Sequence, residues 1–460
     1  MEDTVHMVLE GKMAELLVKI DPKLYRKYLM VKNGKPIMYV QLKKALYGTL
    51  QAALLFWKKL TKKLVYWGFE VNPYDWCVVN KMINGKQCTV GWHVDDIKAS
   101  HVDSKVIDHL IDMMNGEFGK EEPLTVSRGK VHDYLGMIFD FSVDGQFSID
   151  QIDYVRSIIA DMPKDMEGTA ATPAAANLFK IDDEAVPLSR DKADIFHRKV
   201  MQLLYLGQRA RPDVMPAISF LCKRTSTPDE DDYKKLTRVM QYLQGSVDLK
   251  LTLSADGLDG IRWWVDASYG VHADLKGHTG GTMSMGKGSI ISASTAQKIV
   301  ARSSTESELI GVDDVMPQIL WTAYFMKAQG HEMVDNVLYQ DNKSTILLAS
   351  NGRASCGKRT RHIDIRYFFI KDRVQRGELR IEHCPTLDMV ADFFTKPLQG
   401  ALFYKLRDQV MNIDPSSVYH SSKRSVLRNE ELNKVDNPED TISVPRTYKD
   451  VLTTTRGNGR

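Results

Sequence analysis

The chain has 460 residues, 43% of them hydrophobic and 26% charged, enough for two or three domains with real cores and ordinary for a soluble globular protein. A formal net charge of +3 neither demands nor excludes nucleic acid, so that partner has to be argued from local patches. Cys77, Cys88, Cys222, Cys356 and Cys384 lie far apart without CxxC or Cys/His spacing, which argues against a disulfide framework or structural zinc and for a reducing, intracellular compartment.

In chain order, the opening MEDTVHMVLEGKM has early acids and no apolar signal core, unlike a secretory signal. The stretch to about Pro163 mixes strand-like and helical runs. Ile37–Leu42 is short and β-rich, while Ala45–Val65 is long, aromatic and basic and reads as a helix broken near Gly48. Cys77–Met82 and Gln87–His93 flank Asn84-Gly85, a strong hairpin signal. Lys105–Phe118 has helical spacing, and Tyr134–Phe141 with Gln146–Ile149 predicts a second hairpin across Asp144-Gly145. The Ala, Thr, Pro and acidic stretch from Pro163 to Pro187 reads as a linker. Arg190–Leu253 is predicted mostly helical, with apolar positions at Met201, Leu204, Tyr205, Leu236, Val239, Met240 and Leu243.

Strand patterns at 261–266, 279–285, 289–293, 336–340 and 378–383 then alternate with helical runs at 304–329, 342–350, 362–376 and 387–396. This is an α/β section with an initial antiparallel group and later crossovers. Pro317 is expected to kink the first of those helices. The polar chain beyond Asn412 is expected to be a disordered tail. No uncharged apolar run reaches the roughly twenty residues that cross a bilayer, so no membrane partner is expected. The expected divisions are 1–162, a linker at 163–187, a helical connection at 188–255, an α/β domain at 256–412 and a tail at 413–460.

Two carboxylate constellations carry chemistry. In Gly91-Trp92-His93-Val94-Asp95-Asp96, two adjacent acids follow a β-rich run. Paired carboxylates at a strand end can hold magnesium for phosphoryl transfer, although Asp-Asp taken alone reads first as a turn. The neighbourhood changes that reading. Residues Gln41 to Ala52 (QLKKALYGTLQA) resemble the signature of copia-type reverse transcriptases, His93–Asp96 resembles their Tyr-x-Asp-Asp turn, and Tyr134-Leu135-Gly136-Met137 resembles their later Phe-Leu-Gly strand. Leu204-Tyr205-Leu206, Arg211-Pro212-Asp213 and Tyr242–Gly245 are similar to the family's connecting region.

The resemblance implies a mixed α/β chain. Its first part would be a partial palm and thumb (α+β), followed by a ribonuclease H-like domain with a five-stranded mixed sheet flanked by helices. His93 departs from the family's Tyr. A polymerase palm also needs an aspartate on a strand upstream of the Leu-Tyr-Gly motif, and neither Asp3 nor Asp21 sits in an apolar strand context. The resemblance therefore implies that the chain starts just after that acid and that, alone, it does not polymerise DNA on an RNA template and DNA primer.

The second constellation lies in the α/β section. Alternation in Ile261–Ser268 predicts a strand ending in Asp266, and Val337–Asn342 predicts one ending in Asp341. Adjacent strands ending in acids gather charge where open α/β sheets place ligands, and a divalent metal relieves the repulsion. Asp341 could equally cap the helix that follows. In Ser303-Ser304-Thr305-Glu306-Ser307-Glu308, helical spacing aligns Glu308 with Val312, Val315 and Ile319 on the apolar stripe, leaving Glu306 for capping and solvent. Asp388 and Asp392 share the face of a helix and taken alone read as surface acids.

Val-Asp-Ala-Ser, Ser-Thr-Glu-x-Glu, Gln-Asp-Asn and Ala-Asp-x-x-Thr-Lys, in that order, resemble the copia-type ribonuclease H. That resemblance implies Asp266, Glu308, Asp341 and Asp392 as four acids holding two Mg2+ (or Mn2+) ions, and cleavage of RNA in an RNA–DNA hybrid selected through its 2′-hydroxyls. Lys358, Arg359, Arg361, His362 and Arg366 belong to a basic stretch that extends to Lys371, Arg373 and Arg376. It reads as a phosphate-contacting stripe beside the metals, or as a solvated helix face with internal ion pairs. A non-catalytic nucleic-acid-binding remnant is the alternative to an enzyme, and the four intact acids weigh against it.

Overall fold

In the computed structural model, the structure describes residues 6–42, 46, 48–257, 260–333, 335–351 and 364–414, with the side chains of 351 and 364–367 left out. Met1–Asn412 pack as one compact unit. All but the first two residues of the expected tail 413–460 lie outside the described residues. No described helix is long and apolar enough to cross a membrane.

The hairpin predicted at Asn84-Gly85 forms between Asp75–Ile83 and Lys86–His93, with φ of 52° and 72° at the two turn residues. That left-handed geometry suits the right-handed strand twist, and Asn and Gly tolerate it. The two strands join Glu70–Asn72 and Asp96–Ser100 in an antiparallel sheet. The helix Leu50–Tyr66, capped by Thr49, and the helix Ser104–Phe118 bury Leu60, Leu64, Ile107, Leu110 and Met114 against Val79, Cys88, Val90 and Trp92. Gly48, with φ of 85°, precedes the first of these helices rather than breaking it.

Tyr134–Phe141, expected as one strand, is two. Left-handed φ at Leu135 (54°) and Gly136 (70°) folds Val131–Tyr134 back on Met137–Asp140. The neighbouring strand Phe147–Asp150 pairs on its other side with Leu251–Ala255, a stretch partly inside the run expected to be helical. Leu251–Ala255 is too short to declare itself, and its partner lies about a hundred residues away in sequence, so local pattern could not find it. This pairing brackets the helices Arg190–Gly207, Met215–Arg224 and Glu230–Gln244.

Residues 163–187 are not a loose linker. Met166 and Leu178 are fully buried, the Arg238 guanidinium donates to Thr172 O (3.1 Å), and Gln399 Nε2 donates to Ala174 O (2.8 Å). Low periodicity here reflects an irregular path through a packed interface, not the absence of packing.

The α/β section forms a five-stranded mixed sheet in the order Ile291–Ala296, His278–Ser284, Gly260–Ser268, Asp335–Gln340, Arg380–His383. The first three strands are antiparallel and the last two join in parallel. The helix Ser304–Ala328 runs on through Pro317 and covers one face, packing Leu309, Val312, Met316 and Ile319 on Ile261, Trp263 and Val265. Full burial of each such large side chain contributes about 1.5–3 kcal/mol.

Among the connecting helices, Arg211 and Asp213 form a fully buried bidentate pair (2.9 and 2.8 Å), completed by Tyr242 Oη donating to Asp213 (2.6 Å) and Arg211 donating to Ser246 O (2.8 Å). Arg211→Met is expected to cost about 3–5 kcal/mol, because it strands a buried carboxylate. Arg211→Met with Asp213→Leu should recover most of that loss. Denaturant unfolding of the two variants checks it, and equal losses in both would contradict the pairing argument.

Candidate active site

Four acids meet at one end of the five-stranded sheet. Asp266 and Asp341 sit at the C-terminal ends of neighbouring parallel strands. Glu308 is on the first turns of the helix covering one face, and Asp392 begins a four-residue helix, Asp392–Thr395. Carboxylate oxygens of Asp266, Asp341 and Asp392 lie within 4.8 Å of one another. Glu308 is buried and feels the charges of Asp266 and Asp341.

Two adjacent glycines admit the helices that carry these acids. A Cβ at Gly281 would come within 3.0 Å of Val315, on the long helix, and one at Gly280 within 2.6 Å of Thr395. Gly280 pairs with Asp266 across the sheet, so the short helix presses on the face where Asp266 lies. At Gly311 a Cβ would stand 3.2 Å from that of Ala267, which brings the start of the long helix close to the strand end. In the sequence nothing but their small size signals such a close approach.

Neighbouring groups orient each acid. Thr395 Oγ1 donates to Asp266, Gln340 Nε2 to Glu308 (3.3 Å) and Thr386 Oγ1 to Asp341 (3.0 Å). Lys396 Nζ donates to Asp392 (2.6 Å) and stands 3.7 Å from Asp266. Ser294 Oγ, itself bonded to His278, donates to Phe394 O (2.7 Å) and ties down the short helix. The i, i+4 spacing of Lys396 from Asp392 is the one local signal in the sequence for this pair.

Several alternatives resolve. Asn342, not Asp341, caps the following helix, accepting from Ser344 N (3.0 Å) and Thr345 N (3.1 Å). Ser303 caps Glu306 N, and the Glu306 carboxylate accepts from Arg302 N (2.8 Å). Glu306 is buried, however, rather than solvated as its helical position suggested, because the helix start is itself enclosed. The helix expected at 387–396 is interrupted. A single turn at Thr386–Asp388 gives way to extended Met389, so exposed Asp388 and buried Asp392 share no helix face. Trp263 is core, and Trp264 stacks on Tyr339 at 5.3 Å.

Burial, and then the charges of Asp266 and Asp341, push the Glu308 carboxyl up to about 9. Burial and Asp266 push Asp392 up to about 7. Burial opposes the Lys396 ammonium, but Asp266 and Asp392 outweigh it and raise its pKa. The cluster thus carries more carboxylate than Lys396 can balance. Hard oxygen donors at this spacing fit Mg2+ or Mn2+.

Asp95 and Asp96 lie elsewhere, both exposed: Asp95 is in a two-residue turn with Val94 (φ of 55°), and Asp96 opens the next strand paired with His93. A positive φ at a β-branched residue is a strained conformation. Among the described residues no third acid joins this pair. Asp21 instead caps a short helix, accepting from Leu24 N (3.0 Å).

In the basic stretch, Lys358, Arg359, Arg361 and His362 lie outside the described residues, as does the Arg366 side chain. Arg373 and Arg376 are held by Asp372 and Glu378, which fits internal ion pairing for those two. Lys59 and Lys63 likewise pair with Glu117 (3.5 and 2.8 Å).

Comparison with known proteins adds to this geometry. Residues 4–176 match the family model described as reverse transcriptase (RNA-dependent DNA polymerase). The chain is 27% identical over 390 residues to the retrovirus-related Pol polyprotein from transposon RE2 of Arabidopsis thaliana, covering 84% of this chain and 26% of that protein. It is 25% identical to the corresponding polyprotein from transposon TNT 1-94 of Nicotiana tabacum, covering 79% of this chain and 27% of that one. The chain thus spans about a quarter of the length of these relatives. A solved protease–reverse transcriptase of prototype foamy virus matches with a TM-score of 0.22 at 13% identity, over 83% of this chain and 43% of that one, too slight a likeness to bear on the fold.

The raised pKa values set a pH dependence. A group whose folded pKa lies above its unfolded value stabilises the fold at low pH and loses that contribution as pH rises through the folded value. For Glu308 the window runs from its ordinary 4.5 to about 9, and for Asp392 from 3.8 to about 7. His272 and His278, held down to about 4 and 3 by burial, give the opposite slope below their ordinary 6.5, so without divalent metal the melting temperature should fall as pH rises from about 6.5 to 9. Glu308→Gln should flatten the upper half of that decline. Thermal melts across this range check it, and a melting temperature that rises with pH in both proteins would exclude it.

Proposed function

We propose, on its similarity to the retrovirus-related Pol polyproteins of transposons RE2, RE1 and TNT 1-94, that the four-acid cluster of this chain cleaves the RNA strand of RNA–DNA hybrids in a metal-dependent ribonuclease H reaction. The observation that carries this reading is the meeting of Asp266, Asp341 and Asp392 oxygens within 4.8 Å, with Glu308 buried beside them. Four acids crowded at a strand end, two of them held partly protonated by burial and by their neighbours, have little structural use and suit a cation.

In this reading Asp266, Glu308, Asp341 and Asp392 hold Mg2+ or Mn2+, which when bound supplies an activated water and neutralises charge at the departing 3′ oxygen. The chain's own residues set the stage. Thr395, Gln340 and Thr386 fix the orientation of Asp266, Glu308 and Asp341, so the donors are arranged before substrate arrives. Lys396 keeps Asp392 and Asp266 together against their repulsion. The substrate is an RNA–DNA hybrid, whose RNA strand is distinguished by its 2′-hydroxyls.

The Asp95–Asp96 turn belongs to the region matching the reverse transcriptase family. Two exposed acids without a third among the described residues make an incomplete two-metal site. We therefore expect the chain alone not to extend a DNA primer on an RNA template.

Cleavage of a labelled RNA–DNA hybrid with Mg2+ tests the proposal. Asp266→Asn should lose at least about 100-fold in rate, the equivalent of a few kcal/mol of transition-state stabilisation. Hybrid binding without cleavage by the folded parent would replace the enzyme with a binding remnant. Primer extension that Asp95→Ala abolishes would overturn the expectation for the polymerase region.

A further inference from the structure

The four-residue helix Asp392–Thr395 cannot hold itself. One turn is too short to be stable alone, and its carbonyls have no further turn to bond. Asp392 O accepts from Lys396 N (3.1 Å). Two more carbonyls are taken by hydroxyls from the sheet: Ser268 Oγ donates to Thr395 O (3.2 Å) and Ser294 Oγ to Phe394 O (2.7 Å). Ser268 lies just past Asp266 on the same strand, whereas Ser294 belongs to the edge strand Ile291–Ala296.

Ser294 ends a longer run of polar groups. His278 Nε2 lies 2.8 Å from Ser294 Oγ, and His272 Nε2 lies 3.0 Å from His278 Nδ1. All three side chains are buried. Burial holds both rings neutral, at about 4 for His272 and about 3 for His278. Lys223 opposes a charge on either ring, Lys276 opposes one on His272, and Asp274 favours one there. The proton positions follow from the far end. A carbonyl only accepts, so the Ser294 proton points at Phe394 O, and Ser294 Oγ accepts from His278. His278 therefore carries its proton on Nε2. Its Nδ1 is then an acceptor, and His272 donates from its own Nε2. Every bond in the run points from His272 toward the helix of Asp392.

The enclosure comes from outside the sheet. The Phe179 ring, on the segment 163–187, stands 5.0 Å from His272 and 5.1 Å from His278, with Phe220 of the helix Met215–Arg224 packed on it at 6.0 Å. A polar run shut in by rings is unfavourable unless each group is paired, and a fully paired run is rigid.

We propose that His278 and Ser294 are positioning residues of the acid cluster. Their directed hydrogen bonds hold the one-turn helix that places Asp392, and Phe179 keeps those bonds dry. The geometry of the site thus depends on the docking of segment 163–187. The inference rests on the proposed ribonuclease H reading and deepens it, since both residues act through Asp392 and not on the reacting atoms.

NMR of the ring nitrogens, on the full chain labelled with nitrogen-15 histidine, reads the tautomers. Signals are assigned by their loss in His272→Gln and His278→Gln. At neutral pH both rings should be uncharged with the proton on Nε2. A proton on Nδ1 of His278 would reverse the run, leave Phe394 O without Ser294, and overturn the proposal. This measurement on the parent decides even where a variant fails to fold. Calorimetry of Mn2+ binding to the metal-free chain reads the consequence. Ser294→Ala and His278→Leu should each bind about 10-fold to 100-fold more weakly, as when a group that orients a metal ligand is lost. His278→Gln, whose amide both donates and accepts, should stay near the parent, whereas packing alone would favour Leu over Gln. Phe179→Ala admits water, so its histidines should titrate near their ordinary 6.5 and its Mn2+ affinity should fall more steeply below that pH than the parent's. Folded Ser294→Ala and His278→Leu that bind Mn2+ as the parent does overturn the positioning role alone. A parent that binds Mn2+ no better than Asp266→Asn overturns the reading beneath it.

Discussion

Repulsion among carboxylates denied water is the constraint around which the α/β half of this protein is arranged. Asp266, Asp341 and Asp392 bring oxygens within 4.8 Å of one another, and Glu308 is buried against them. Burial first, and then like charges so placed, favour protonation, and the high pKa values of Glu308 and Asp392 express both. Lys396 offsets part of it through Asp392 and Asp266. What remains is a set of oxygen donors suited to a divalent cation, oriented by Thr395, Gln340 and Thr386.

Holding four repelling groups in place requires a rigid surround, and the packing supplies it. Trp263 and its neighbours fix the strand that ends in Asp266 against the long helix that carries Glu308. Gly280 and Gly281 let the two helices close on opposite faces of one strand. Any side chain at Gly280 would lift the Asp392 helix from the sheet. The site therefore depends on residues with no chemistry of their own.

The same economy links the two halves of the chain. The strand Leu251–Ala255 returns to Phe147–Asp150, and residues 163–187 are pinned by Arg238 and Gln399. Buried Arg211, Asp213 and Tyr242 form a closed polar network among the connecting helices.

Local order was legible in the sequence. Alternation marked the strands ending in Asp266 and Asp341, Asn84-Gly85 marked its hairpin, and the apolar stripe through Val312, Val315 and Ile319 singled out Glu308 over Glu306. These features are written at spacings of two to four residues, which a single pass can read. What the sequence left open was decided by contacts between distant segments. Asn342 rather than Asp341 became the cap, Glu306 was enclosed, and Lys396 was drawn between two acids. The turn at Leu135-Gly136, the interrupted helix before Asp392 and the ordered path of 163–187 likewise departed from their patterns. The physical reason is common to all of them. Burial and electrostatic pairing depend on which segments fold together, and that choice is made by the whole chain rather than by any window of it.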